Sequence, residues 1–168
     1  MEITPHTQKR YWARLSAVQA LYQMEAAEKP SKLVVAEFVG HRFGHEDEPG
    51  MVVADEAFFE EIIDGVVTFQ TEIDENIRLF LSKKWTLKRL DMTLRAILRA
   101  GIFELLRRPD VPALVVIDEY VTIAAGFFDE KERGFVNALL ERAAKSIRAH
   151  EFGLPVAPPP TDAPPTDG

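Results

Sequence analysis

Cysteine is absent from the 168-residue chain, so a disulfide framework, a thiolate metal site and a thiol enzyme are all excluded. Long apolar runs are also missing, because no segment approaches the roughly 18 uncharged apolar residues that a membrane span needs. The opening residues contain no apolar core of the kind that directs secretion. These absences predict a cytoplasmic protein that does not enter a membrane.

Motifs that carry catalysis or bind cofactors are scarce as well. The sequence contains no glycine-rich phosphate loop and no Gly-x-Ser-x-Gly elbow, and its four histidines stand at no recognisable catalytic spacing. Adjacent acids such as Glu60 and Glu61 point to different parts of a helix surface, as solvated side chains do. We therefore expect no catalytic residues and no cofactor.

The best candidate for a metal site is the pair His41 and His45, four residues apart and followed by three acids. Gly40 and Gly44 interrupt any helix there, and no further histidine lies nearby in the sequence. A solvated loop is the favoured interpretation, and we expect no metal.

The charges are unevenly distributed along a chain whose net charge is −7. Eleven acids and no Lys or Arg occur within residues 43–77, whereas eight basic residues and two acids occur within residues 83–108. Lys9, Arg10 and Arg14 form a basic start. The global charge argues against indiscriminate binding of nucleic acid or membrane, but the basic segments allow a local anionic partner.

Apolar residues recur at spacings of three and four over most of the chain, which predicts amphipathic helices. Breaks in this pattern occur at glycine and proline. The predicted helices of the first two thirds cover residues 8–27, 33 to Gly40 or Gly44, 54–81 with a bend or split near Gly65 or Thr71, and 90–106.

Two further helices are predicted in the last third of the chain. Asp110 is expected to cap the first, with Pro112 in the first turn, where a missing N–H is harmless. Residues 114–117 are β-branched enough for a strand, but no partner strand exists and the helical spacing continues, which favours a buried helix. Asp129 and Glu132 resemble a capping box that begins the last helix.

The composition changes after residue 150. Six prolines between residues 155 and 165, with little apolar content, predict a disordered tail over residues 151–168. Residues 7–150 are predicted to form one all-α domain of about seven helices.

The opening segment, residues 9–14, alternates basic groups with two aromatic rings. Single-stranded RNA is commonly bound this way, because cations neutralise phosphates while planar groups stack on unpaired bases. A solvated basic turn with Tyr11 and Trp12 packed in the core is the alternative, and these residues alone do not decide between the two.

Four blocks of residues, taken in order, carry a resemblance that covers about residues 8–149. They are Arg14-Leu15-Ser16-Ala17-Val18-Gln19-Ala20-Leu21-Tyr22-Gln23, Arg95-Ala96-Ile97-Leu98-Arg99-Ala100-Gly101-Ile102-Phe103-Glu104-Leu105, Asp110-Val111-Pro112 with Val116-Ile117-Asp118-Glu119, and Phe127 with Phe135-Val136-Asn137. Each block alone is weak, but four in one order are specific. The chain resembles the NusB family of transcription antitermination factors.

The resemblance implies an all-α fold of two small helical subdomains. It also implies a protein that binds the boxA RNA of ribosomal RNA operons together with NusE, a small-subunit ribosomal protein, within an antitermination complex on RNA polymerase. Carried onto matching positions, and with Lys9 added from the basic start, the RNA surface comprises Lys9, Arg10, Arg14, Gln19, Tyr22, Arg99, Phe127, Lys131, Arg133 and Phe135.

The acidic stretch from Glu46 to Glu75 is complementary to a basic ribosomal protein. We predict that NusE docks on its C-terminal part, through Glu72, Asp74, Glu75 and Phe80. Leu94 stands where relatives often carry an acid near the NusE interface.

Two other classes of function are compatible with the residues. A protein–protein scaffold would leave the basic first helix merely solvated. RNA methylation is suggested by NusB-like domains that precede some RNA methyltransferase domains, but the chain has no glycine-rich cofactor loop. Exposed apolar faces would allow a homodimer.

Overall fold

The computed structural model describes residues 5–41 and 55–155, and all regular structure within these ranges is helical. The predicted all-α fold is confirmed. No helix in the described ranges is both long and apolar enough to cross a membrane. The elements are α1 (Pro5–Ala26), α2 (Ser31–His41), α3 (Glu56–Thr68), α4 (Gln70–Phe80), the short 3-10 helix η1 (Leu87–Arg89), α5 (Met92–Arg107), α6 (Ala113–Ala125), α7 (Glu130–Ile147) and the 3-10 helix η2 (Ala149–Phe152).

The first helix packs its apolar stripe against α3 and α5. Ala13, Ala17 and Ala20 are fully buried on this stripe, and their small side chains allow neighbouring backbones to approach closely. A proline occupies the first position of α1, where no intrahelical hydrogen bond requires its missing N–H. The helix ends shortly before Glu28, whose positive φ of 52° turns the chain toward α2.

The long periodic segment after residue 54 forms two helices. The carboxylate of Asp55 caps α3 by accepting the N–H of Phe58 at 3.0 Å. The break falls at Phe69, with φ −108° and ψ 22°, between the two positions that the sequence suggested. Gly65 stays inside α3, where a Cβ atom would overlap the ring of Phe103 on α5.

The central element is α5, which contacts α1, α3, α4, α6 and α7. The carboxylate of Asp91 fixes its start by accepting the N–H groups of Thr93 at 2.7 Å and Leu94 at 3.3 Å. At Gly101 a Cβ atom would lie 3.1 Å from Leu140, so the bare backbone lets α7 pack closely. Helices α1–α3 form one group, and α4, α6 and α7 complete a second group around α5.

The start of α6 differs from the prediction. Pro112 occupies the N-cap position, and its carbonyl accepts the N–H of Val116 at 3.1 Å. The carboxylate of Asp110 instead accepts two hydrogen bonds from Arg108, both 2.9 Å long. The strand alternative for residues 114–117 is wrong, since all four belong to α6.

The start of α7 matches the prediction in position but not in hydrogen bonding. Asp129 is the N-cap residue, yet its side chain makes no capping hydrogen bond, so the predicted capping box does not form. Glu130 and Glu132 still place negative charge in the first turn, where the helix dipole favours it.

The folded part of the chain extends past the predicted start of the tail at residue 151. Glu151 accepts hydrogen bonds from the N–H of Ala113 at 2.9 Å and from Arg148 at 2.7 Å. Residues 151–155 therefore belong to the described fold, whereas residues 156–168 lie outside the described ranges. The candidate loop after His41 also lies outside them.

Candidate nucleic-acid interface

A groove on the surface brings together residues that are far apart in the sequence. It has a volume of about 400 Å³ and is lined by Val18, Gln19, Tyr22, Gln23, Phe38, Thr93 and Phe127. Three residues of the predicted RNA surface, Gln19, Tyr22 and Phe127, thus share one site. Tyr22 and Phe127 remain 41% and 45% exposed, so both rings present area to solvent.

Local backbone geometry holds these rings in place. Gln19 and Tyr22 lie one turn apart on the same face of α1. After α6, the N–H groups of Phe127 and Phe128 donate to the carbonyl of Ala124 at 3.1 and 2.9 Å. Phe128 packs against the core while Phe127 stays exposed, so the turn projects one ring of the pair into the groove. An aromatic pair beside an amide can stack on a base and hydrogen-bond to its edge.

Two of the basic residues predicted for this surface lie nearer the N-terminus of α1 than the groove does. Lys9 is exposed and Arg10 is partly exposed, about 18 Å before Tyr22 at 1.5 Å per helical residue. The guanidinium of Arg10 lies 5.1 Å from the ring centre of Phe58, and its Nε has no hydrogen-bond partner in the structure. The basic start and the groove are therefore separate parts of one helix rather than one cluster.

The residues predicted at the start of α7 are placed unequally. Lys131 is exposed, and Arg133 is partly exposed with an Nε that lacks a hydrogen-bond partner. Phe135 packs against the core, so it supports this turn and offers little surface for stacking.

Arg14 does not belong to the exposed surface. It is 2% exposed, and its Nε and Nη2 donate to the two carboxylate oxygens of Glu104, both at 2.9 Å. The hydroxyl of Tyr120 donates to the same carboxylate. The expectation that Arg14 contacts phosphate is therefore corrected, because its charge is satisfied inside the protein.

The electrostatics of this buried group agree with its geometry. Burial alone would lower the pKa of Arg14, but the hydrogen bonds and charge of Glu104 outweigh it and hold that pKa above its ordinary value. Burial, reinforced by the charge of Glu104, raises the pKa of Tyr120 well above its ordinary value. Arg14 thus stays charged and Tyr120 keeps its hydroxyl proton near neutral pH, as expected of side chains with a structural role.

A signal for this unit is present in the sequence. Glu104 lies on the same helical face as Ile97 and Gly101, seven and three residues after those apolar positions. An acid on a buried stripe requires a buried cation or donor. That requirement points to an internal partner, although not to Arg14 in particular.

Arg99 and Asp74 were assigned to two different partners, but the structure pairs them with each other. Arg99 donates from Nε and Nη2 to Asp74 at 2.9 and 3.2 Å, and its Nη1 lies 3.4 Å from Glu25. Asp74 is 7% exposed. This corrects the expectation that Asp74 faces NusE, and it leaves Arg99 partly exposed with its donors already engaged.

The remaining residues predicted for NusE lie on α4. Glu75 is exposed, and Glu72 forms an ion pair of 2.5 Å with Arg107, whose guanidinium lies 3.9 Å from the ring centre of Phe69. Phe80 is half-buried against the core. Within the described residues no group of three or more His, Asp or Glu is placed to hold a metal ion.

Fold and surface together define a class: a small all-helical protein with exposed aromatic rings and an amide in one groove, the arrangement used to bind unpaired bases. In a comparison with known protein families, residues 12–145 match the NusB family. The chain belongs to the NusB family.

Similar proteins cover most of the chain. It is 53% identical over 141 residues to the transcription antitermination protein NusB of Maricaulis maris (strain MCS10), covering 83% of this chain and 88% of that protein. For the protein of the same name from Agrobacterium fabrum, the identity is 51%, covering 81% of this chain and 83% of the relative.

Two solved structures share the fold. T. maritima NusB has a TM-score of 0.72 at 29% identity, covering 86% of this chain and 97% of that one. A chain from a crystal structure of the antitermination factors NusB and NusE in complex with dsRNA has a TM-score of 0.70, covering 82% of this chain and 97% of that one. At 24% identity, the second likeness concerns the fold alone.

Proposed function

We propose that this chain is a transcription antitermination factor that binds the boxA RNA of ribosomal RNA operons together with NusE. In this role it helps to assemble the antitermination complex on RNA polymerase. Membership of the NusB family and relatives about 50% identical that are named transcription antitermination proteins support the proposal. We place the activity in the cytoplasm and assign no catalysis to it.

The observation that carries the proposal is the groove between α1, the start of α5 and the turn after α6. Tyr22 and Phe127, about 100 residues apart in the sequence, line it together with Gln19. Unpaired bases would stack on the two exposed rings, while the amide of Gln19 would read a base edge. Sequence preference would therefore come from the groove.

Phosphate contacts would come from those cations of the predicted RNA surface that form no ion pair among the described residues. Lys9 and Lys131 are exposed, and Arg10 and Arg133 are partly exposed. These residues are few, and the chain has a net charge of −7. Tight binding would thus require a basic partner beside the RNA, which is the role proposed for NusE.

We propose that NusE contacts the exposed face of α4 through Glu72 and Glu75, with Phe80 at its edge. Asp74 would support this helix from within through Arg99. The test is Glu75→Lys, with Glu28→Lys on the turn after α1 as a matched exposed control. We expect Glu75→Lys to weaken NusE binding and the control to leave it unchanged; equal affinities for NusE in both variants would refute this docking face.

The salt dependence of RNA binding separates the proposal from a protein–protein scaffold. Affinity for a short boxA RNA, measured with NusE present, should fall with salt by about 0.7 log units per log unit of salt for each phosphate contacted. Lys9→Ala should reduce that slope by about 0.7. Lys32→Ala, an exposed lysine on α2, is the matched control and should not change it. Absent or salt-independent RNA binding would favour the scaffold.

A further inference from the structure

A second cationic surface lies between α4 and α5, outside the residues assigned to RNA or NusE. It consists of Lys83, Lys84, Trp85, Lys88 and Arg89, which we name the basic–tryptophan loop. All five residues are exposed, and Trp85 shows 49% of its surface. A large aromatic side chain exposed among four cations is typical of an interaction site.

The cations of this loop differ from the arginines that follow it. Arg95, Arg99 and Arg107 all form ion pairs with carboxylates. No side chain of the four loop cations has an ion-pair partner among the described residues, and the nearby carboxylate of Asp91 is occupied as the cap of α5. Four uncompensated positive charges on a protein of net charge −7 mark a surface that suits an anionic partner.

The loop is ordered by its own hydrogen bonds. The N–H of Trp85 donates to the carbonyl of Ser82 at 3.0 Å. Arg95, 8% exposed, donates from Nη1 to the carbonyls of Leu87 at 3.2 Å and Lys88 at 3.0 Å. The side chain of Leu87 is buried and anchors the turn. The charges and the indole are thus presented from a fixed backbone, which reduces the entropy lost on binding.

A shallow pocket of about 300 Å³ lies beside the indole, lined by Arg78, Leu81, Ser82, Lys83, Trp85, Thr86 and Leu87. An exposed ring with cations on both sides is the arrangement that stacks on a base while neutralising neighbouring phosphates. An acidic peptide would use the charges but not the face of the indole. These features favour single-stranded RNA as the partner.

The start of α5 connects the loop along the chain to the groove described above. Thr93, near the start of α5, lines that groove. Three residues earlier, the carbonyl of Leu90 accepts a hydrogen bond from Nη1 of Arg95, the same nitrogen that donates to the loop carbonyls of Leu87 and Lys88. A strand leaving the groove past the start of α5 would meet the basic–tryptophan loop next. We propose that this loop binds single-stranded RNA flanking the boxA element, with Trp85 stacking on a base. This proposal rests on the proposed function, because RNA can be said to flank boxA only if the groove binds boxA.

Fluorescence anisotropy with the full chain and two labelled RNAs tests the proposal. One RNA carries boxA alone, and the other carries boxA with an unstructured extension of about ten uridines on either side. We expect the extended RNA to bind about tenfold more tightly, a gain that one stacked base and a few phosphate contacts can supply. Trp85→Ala should abolish most of this gain, Trp85→Phe should keep part of it, and both should leave affinity for boxA alone unchanged.

The charges are tested separately. Lys84→Ala with Lys88→Ala should lower the salt slope for the extended RNA by about 1.4, the value for two phosphate contacts. Lys32→Ala, which removes an exposed lysine of α2 that forms no ion pair among the described residues, is the control and should leave both the salt slope and the gain unchanged. If the extension adds no affinity, or if Trp85→Ala leaves the gain intact, the proposal is overturned.

Two further outcomes separate this proposal from the proposed function. If the protein does not bind boxA RNA alone but binds a uridine oligomer through Trp85, the proposed function is overturned and the loop is supported as an RNA-binding site. An oligoglutamate peptide that binds through Lys84 and Lys88, when the uridine oligomer does not, would overturn the loop proposal in favour of an acidic polypeptide.

Discussion

Arg14, Glu104 and Tyr120 form a buried polar trio, and replacing Arg14 with methionine isolates its structural role. In that variant the Glu104 carboxylate, 0% exposed, retains only the hydroxyl of Tyr120 as a partner. Removing one partner of a buried ion pair costs about 3–5 kcal/mol, because the other charge stays buried without compensation. Since domains are stable by only about 5–15 kcal/mol, we expect Arg14→Met to lose a large fraction of its free energy of unfolding.

Replacing all three members should restore that stability. The triple variant Arg14→Met, Glu104→Leu and Tyr120→Phe removes the buried ion pair and the hydroxyl together, and apolar groups of similar volume can substitute for a buried ion pair at about zero net cost. Glu119, whose carboxylate lies 3.9 Å from Nη1 of Arg14, loses this neighbour but is partly exposed to solvent. RNA binding should persist in the triple variant, because Arg14 is 2% exposed and has no free donor toward solvent on its two bonded nitrogens.

Urea unfolding followed by circular dichroism measures the stability, and anisotropy with boxA RNA measures binding. Arg10→Met on the same helix is the matched control; it should lower the salt slope of RNA binding by about 0.7 while changing stability by no more than about 1 kcal/mol. A triple variant that is as stable as the wild type but loses the same salt slope would refute the reasoning, since Arg14 would then contact a phosphate.

Two further predictions concern packing and pH. Gly65→Ala should destabilise the protein by about 1–3 kcal/mol in urea unfolding, because the added Cβ would overlap the ring of Phe103. Gly134→Ala, on an open helical surface, should instead stabilise the protein by about 0.5–1 kcal/mol. Equal effects of the two substitutions would contradict close packing at Gly65. Burial would raise the pKa of Glu151, but hydrogen bonds from Ala113 and Arg148 keep that pKa below its ordinary value. The ionised Glu151 side chain therefore stabilises the fold fully above about pH 4.3, and this stabilisation is lost as the pH falls through the lower pKa of the folded protein. Glu151→Gln should therefore be less stable than the wild type at pH 7 and approach it in acid, as thermal unfolding across pH would show; a difference independent of pH would contradict this assignment.

Periodicity predicted most of the helical structure because apolar stripes report directly on burial. The apolar stripe of α5 lies in the core, as do Val18 and Leu21 of α1, whereas Tyr22 from the same apolar pattern remains exposed. Helix ends were harder, since they depend on local hydrogen bonds rather than on spacing. Asp110 has the right chemistry for a cap, yet Arg108 holds its carboxylate and lowers its pKa to about 2.

Long-range pairing is what the sequence could not reveal. Arg14 and Glu104 are 90 positions apart, and Arg99 and Asp74 are 25 apart, so one-dimensional patterns cannot show that they meet. Both arginines therefore looked like surface cations. Tyr22 and Phe127 are different, because the family resemblance implies both residues although no spacing in the sequence shows that they share one groove.

The most direct test of the account compares boxA RNA affinity between the wild type and the double variant Tyr22→Ala with Phe127→Ala, at one salt concentration and with NusE present. Leu33→Ala with Leu114→Ala is the matched control, since both leucines are exposed, on α2 and α6, and neither is assigned to RNA or NusE. Because base stacking on an aromatic ring contributes about 1–3 kcal/mol, we expect a loss in affinity of at least about tenfold in the groove variant, no loss in the control and unchanged stability in both. Wild-type affinity for boxA RNA in a folded groove variant would show that bases do not stack on Tyr22 and Phe127.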